Sequence, residues 1–190
     1  MKKKVIIVFV CMFAVKFISS CCADQGTFEV YYSEIYSRLL TVENNSFSKI
    51  DQNTSVEKLD FALSIDLKED LNQIASDFKQ LKGFGFQKSY ATSCPEGKFI
   101  YLENISFIKI NQINSNGNSE DVTLNFKVRN VMDELISIVD YVDSFDKGLS
   151  SLVFYLKDEN NIENAVNFEI EITFTSTKIL THTTEKVLFN

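Results

Sequence analysis

Leu59-Asp60-Phe61-Ala62-Leu63-Ser64-Ile65-Asp66-Leu67 puts five large apolar residues on odd positions, with Asp60, Ser64, Asp66 and then Lys68 on even ones. Successive strand side chains point to opposite faces, so this alternation predicts a strand with one face in a core and one in water. A helix would scatter the same five residues round its axis. The buried face is expected to hold Leu59, Phe61, Leu63, Ile65 and Leu67, and the wet face Asp60, Ser64 and Asp66. The period recurs in Val122, Leu124, Phe126 and Val128, in Leu152, Phe154 and Leu156, and in Phe168, Ile170, Ile172 and Phe174.

Working outward, Thr27 to Tyr32 reads as a first strand, and Ile35 to Val42 as its continuation or a second one. Asn44 to Ser55, rich in Asn, Ser and Thr, reads as a loop. After Leu67 the period changes. Leu71, Ile74, Ala75, Phe78 and Leu81 follow helical spacing, and Lys82-Gly83 is a fitting stop, so residues 69–81 are predicted to form an amphipathic helix. Tyr101 to Ile110 returns to strand chemistry, and Asn114 to Asn118 forms a turn cluster. Val131, Leu135, Ile138, Val142 and Phe145 step by four and three, which suits a helix, although the β-branched residues there also allow a strand. Asp158 to Asn161 reads as a turn, and Thr177 to Phe189 as a closing strand.

Half-buried alternation throughout favours antiparallel sheets over a parallel sheet, whose strands would read as continuous apolar runs. Two such sheets bury their apolar faces against each other. The expectation is therefore a mainly β, antiparallel β-sandwich over residues 27–190, immunoglobulin-like, with one or two short helices in connections. The Cys-Trp-Cys mark of antibody domains is absent, because the chain has no Trp.

The amino terminus carries a different signal. Lys2-Lys3-Lys4 precedes an apolar run from Val5 to Phe17, interrupted only by Lys16 and shorter than the roughly 20 residues of a membrane span. Ile18-Ser19-Ser20 then leads into Cys21. A basic start, an apolar middle and small residues at the end make a secretory signal over residues 1–20. A cysteine directly after the small residues resembles a bacterial lipobox, which implies cleavage before Cys21, lipid on its sulfur, and a tether over residues 21–26. Cys11 would leave with the signal, and Cys22 and Cys94 would remain, read as unpaired, with a bridge between them as the alternative. Removing residues 1–20 takes four lysines and moves the net charge from −7 to −11, with 15 basic residues against 26 acidic. Such a balance argues against nucleic acid or anionic headgroups as partners.

Residues of types that carry chemistry elsewhere mostly read here as having plainer roles. His182 is the only histidine, so a cluster of histidines on zinc is excluded, and a solvent-facing strand position is expected. Asp140, Asp143 and Asp146 before Gly148 step by three, whereas calcium loops place ligands at alternate positions. Gly83-Phe84-Gly85-Phe86 lacks the Lys-Ser/Thr ending of a phosphate loop. Phe84, Phe86 and Tyr90 would make a sugar platform if exposed, but core filling is the expectation in a chain with 17 Phe. Asn44, Asn53 and Asn104 match the glycosylation acceptor, a frequent coincidence in a chain rich in Asn and Ser. No cofactor or metal site is expected.

Ser20-Cys21-Cys22, Ser89-Tyr90-Ala91-Thr92-Ser93-Cys94-Pro95 and the strand starting near Leu102-Glu103-Asn104-Ile105 together resemble small lipoproteins of Bacteroidetes bacteria, grouped as a domain of unknown function. The resemblance implies a lipid-anchored, β-rich envelope protein and brings no active site with it. The function expected is a non-enzymatic binding or structural module at the outer membrane, attached through lipid on Cys21, with a protein or glycan partner. The alternative is a hydrolase of envelope or extracellular polymers, using carboxylates such as Glu57 or Asp60 brought near others by folding. Glycoside hydrolysis needs two carboxyl groups about 5 to 10 Å apart.

Overall fold

Residues Ala165–Phe174 alternate without a break, and every second side chain, from Val166 to Phe174, is buried. The structure is a computed structural model that describes residues 27–43, 46–51, 54–75, 98–144 and 149–190. The thirteen strands described are β1 (Thr27–Glu43), β2 (Ser46–Lys49), β3 (Ser55–Val56), β4 (Phe61–Ala75), β5 (Lys98–Tyr101), β6 (Ile105–Asn114), β7 (Ser119–Asp121), β8 (Phe126–Arg129), β9 (Leu135–Ser137), β10 (Ser151–Leu156), β11 (Ala165–Phe174), β12 (Ile179–Thr183) and β13 (Val187–Phe189). One short helix, α1 (Ile138–Ser144), follows β9.

The strands form two sheets. One runs β2-β1-β4-β10-β8-β9, with β5 also on β1. The other runs β3-β13-β11-β6-β7, with β12 also on β11. β3 pairs with β13 in parallel, whereas β2 with β1, β4 and β8 with β10, β9 with β8, β6, β12 and β13 with β11, and β7 with β6 are antiparallel. β11 is the spine of the second sheet: β6 pairs along one edge, from Val166 opposite Asn114 to Phe174 opposite Ile105. Its other edge is shared between β13 and β12. Thr184 joins those two, accepting a bond from the Phe168 N–H at 2.9 Å and donating to the Glu185 carbonyl at 2.8 Å.

The described residues fall into two compact units, 27–30 with 71–75 and 98–100, and the remainder. In the smaller unit, Phe28 stacks on Phe99 at 5.7 Å. In the larger, the sandwich closes around phenylalanines. Phe168 of the six-stranded sheet lies 5.5 Å from both Phe61 and Phe126 of the seven-stranded sheet, and Phe189 meets Phe61 edge-on at 5.3 Å. A chain without Trp fills its core with Phe rings, and edge-to-face pairs suit their quadrupoles.

Several expectations are corrected. The helix over 69–81 is overturned for its first half, because β4 continues as a strand to Ala75; residues 76–81 lie outside those described. Pairing with a neighbouring strand overrides a short helical spacing. The buried odd face holds from Phe61 to Leu67, but Leu59 falls in a 3₁₀ turn (Lys58–Asp60) and is 51% exposed. Ser64, expected wet, is buried. It lies opposite Val153, two places from Ala62 opposite Tyr155, on the face away from the core. Phe47 of β2 reaches the Tyr155 ring at 6.0 Å although β1 and β4 stand between their strands. Phe47 and Tyr155 therefore approach each other over that face.

Val122 to Val128 is not one strand. Thr123–Asn125 forms a 3₁₀ turn, Leu124 is 80% exposed, and β8 begins only at Phe126. Asn130 to Ser144 divides into a turn, β9 and α1, so helix and strand both occur there, and Phe145 lies outside the described residues. The loop expected over 44–55 contains β2 and the start of β3, and the closing segment is two strands, β12 and β13. Ile35 to Val42 continues the first strand.

Candidate functional site

The β8–β9 connection, Arg129-Asn130-Val131-Met132-Asp133-Glu134-Leu135, is bonded inward at almost every polar group. Arg129 pairs with Leu135 across the ladder, which leaves five residues in the loop. The Asn130 side-chain oxygen accepts from the N–H groups of Met132 and Glu134, both at 2.9 Å. The Asn130 backbone exchanges bonds with Glu134 and Asp133 at 2.9 and 3.0 Å, and its amide donates to the Glu134 carboxylate at 3.2 Å. Asp133 takes a left-handed φ of 64°, a conformation Asp tolerates better than most side chains, and its carboxylate meets Arg129 at 2.7 Å. The polar groups are bonded to one another within the exposed loop, and the apolar side chains have no such partners. Val131 is 100% exposed and Met132 76%.

Arg129 links this tip to a cleft. On β10 and β8 the residues Ser151, Val153, Tyr155, Lys127 and Arg129 alternate with the core positions Leu152, Phe154, Phe126 and Val128, so they face outward. The Arg129 guanidinium carbon sits 5.2 Å from the Tyr155 ring centre and the Lys157 ammonium 5.9 Å from it, both within cation–π reach. Hydrogen bonds first to Asp133 and then to Tyr155 raise the Arg129 pKa further and hold it as a cation. Phe47, Val128, Arg129, Tyr141, Ser151, Leu152, Val153 and Tyr155 line a cleft of about 210 Å³. Its lining contains no carboxylate. Burial pushes the Tyr141 phenol up, so that side chain is neutral at ordinary pH.

A second polar group ties the end of the larger unit together. Lys178 donates to the Tyr32 carbonyl and lies 3.8 Å from Glu103, which accepts a bond from Ser176 at 2.9 Å. One carboxylate facing one ammonium makes a clamp on the β11–β12 turn. Burial first, then repulsion from Glu69 and Tyr101, pushes the Tyr32 phenol up to about 12.

The residues singled out in the sequence do not converge. Cys21, Cys22, Cys94, Phe84, Phe86, Tyr90, Asp146 and Gly148 lie outside the described residues. His182 is half-buried rather than solvent-facing, opposite Ile170 on the core side of β12. Asp140 is a cap: its carboxylate accepts from the Ser137 hydroxyl, whose oxygen accepts the Asp140 N–H at 3.0 Å, a Ser-x-x-acid box at the start of α1. Glu57 accepts a bond from Asn190, and Asp60 closes the adjacent 3₁₀ turn, so neither stands in the cleft. Among the described residues no group of three His, Cys, Asp or Glu side chains could hold a metal ion.

Neither Arg129 nor Tyr155 stood out in the sequence. The available signal was Asn130 ahead of two apolar residues and Asp133-Glu134, turn chemistry that the helical spacing of Val131, Leu135 and Ile138 concealed.

Fold and site together define a β-sandwich that presents an internally hydrogen-bonded hairpin tip with exposed apolar side chains, beside a cleft that Arg129 helps to line. No protein-family model, curated protein or solved structure matches the chain. Among the described residues no helix is long and apolar enough to cross a membrane.

Proposed function

We propose that this protein is a lipid-anchored bacterial envelope lipoprotein, held at the outer membrane through Cys21, that acts as a non-enzymatic binding module. It meets a protein or glycan partner with the β8–β9 tip and the adjoining cleft. The observation that carries this reading is the pair Val131 and Met132, exposed at 100% and 76% on a loop whose polar groups are bonded internally. Ordering a loop and its side chains opposes association, and a loop already ordered avoids that cost. The acidic flank of Asp133 and Glu134 disfavours anionic headgroups as the tip's target. The anchor rests on the sequence Ile18-Ser19-Ser20-Cys21 after a short apolar run. More than one lipid chain makes such attachment firm.

The test is site-specific photocrosslinking in native membranes. A photoreactive residue at Val131 should give a discrete adduct, while the same residue at Leu124, also apolar and 80% exposed, should not. Absence of an adduct at Val131, or equal adducts at both positions, would contradict the reading.

A further inference from the structure

The smaller unit is apolar on both of its faces. Its described residues, 27–30, 71–75 and 98–100, belong to β1, β4 and β5, and β4 and β5 both pair with β1. Leu71 is 53% exposed, Ile74 50%, Phe99 49% and Ile100 36%. Successive strand side chains point to opposite faces, so Phe99 and Ile100 lie on opposite faces of β5, and Leu71 and Ile74, three apart, on opposite faces of β4. A half-buried strand hides its apolar face and wets its polar one. Here both faces are apolar and both are exposed.

Charge sets the same unit apart. Its described residues hold one acid, Glu29, and one base, Lys98, in a chain of net charge −7. Position adds a third observation. β1 begins at Thr27, six residues after Cys21. Six residues of extended chain reach at most about 20 Å, so this unit starts within that distance of whatever holds Cys21.

Resting on the reading of Cys21 as the lipid anchor, we propose that this end of the sheet docks into the surface of the same bilayer, on zwitterionic lipid. Leu71, Ile74, Phe99 and Ile100 enter the boundary between headgroups and acyl chains, where interfacial elements bury apolar side chains about 5 to 10 Å deep. Entry stops at that boundary, because an open sheet cannot satisfy its edge N–H and C=O groups in hydrocarbon. Lys98, exposed beside Phe99, has a stem long enough to keep its ammonium among the headgroup phosphates. A protein partner would cover one face of three strands and leave the other wet, whereas a bilayer entered end-on surrounds both. The balanced charge of the unit suits a zwitterionic surface, while the net negative charge of the chain opposes an anionic one.

The experiment places a photoreactive residue at Leu71, Ile74, Phe99 or Ile100 in turn, in the full acylated chain reconstituted into phosphatidylcholine vesicles, and identifies the adducts by mass. Each position should give lipid adducts at least about tenfold above those from Leu124, which is 80% exposed and lies outside the unit. No lipid adduct at the four positions, a level equal to that at Leu124, or an adduct of twice the chain's mass, marking a second copy, would overturn the proposal. Adducts from Phe99 without Ile100, or from Leu71 without Ile74, would overturn the end-on entry. Adducts that rise when phosphatidylglycerol is added would overturn the zwitterionic assignment. Acylation is read separately, from labelled fatty acid on Cys21. Loss of the lipid adducts with Cys21 acylated removes the docking surface and leaves the anchor; absence of acylation removes both.

Discussion

Replacing Phe168 with Ala tests how the two sheets are held together. Its side chain is fully buried and its ring lies 5.5 Å from Phe61, 5.5 Å from Phe126 and 6.4 Å from Phe189. Truncating a buried Phe costs about 3 to 5 kcal/mol through lost transfer energy and the cavity left behind. Each ring pair contributes a further 0.5 to 1.5 kcal/mol or so beyond its area, so the upper half of that range, about 4 to 5 kcal/mol, is expected. Domains are stable by only about 5 to 15 kcal/mol in all. With a urea slope of about 2 kcal/mol per molar, the unfolding midpoint should fall by about 2 M. Leu124→Ala is the control. Its side chain is 80% exposed, so its cost should stay within about 0.5 kcal/mol. Urea unfolding followed by far-UV circular dichroism measures both. Equal costs at the two positions would mean that Phe168 is not at the centre of the core.

Other consequences follow from individual contacts. Ser64→Leu should destabilise by about 1 to 3 kcal/mol, because Ser64 is buried and a larger side chain overpacks its surroundings; a neutral result by the same urea assay would mean that face is open. The folded state holds the Tyr32 proton to about pH 12, against 10.0 ordinarily, so this contribution is full below about pH 10 and is lost as pH rises through 12. Tyr32→Phe should therefore flatten the alkaline limb of the stability profile between those values, and an unchanged limb would show that another group titrates. Cys21→Ala should abolish incorporation of labelled fatty acid, and full retention of label would place the lipid elsewhere.

Sequence periodicity was most informative where a strand is covered by one neighbouring layer. Phe168, Ile170, Ile172 and Phe174 alternate with polar residues and are buried as their parity requires. Phe61 to Leu67 obey the same rule. It fails inside β4. Ser64 sits on the polar parity of its strand and is buried all the same, and nothing in the local pattern announces that. It fails again where backbone geometry breaks a strand: Leu124 keeps the parity of Phe126 but sits on a 3₁₀ turn. In Leu71 and Ile74 helical spacing coincided with a strand, where both side chains are exposed. The site was hidden for a related reason. Arg129, Tyr155, Lys157 and Phe47 come from three separate stretches and meet only through sheet register.

Presentation of Val131 and Met132 by a rigid loop is the claim on which the binding reading stands, and backbone relaxation tests it without any partner. Nitrogen-15 order parameters for Asn130 to Glu134 should lie near about 0.85, level with the flanking strands. Values below about 0.6 would make the tip a mobile loop, with no preorganised anchor to offer.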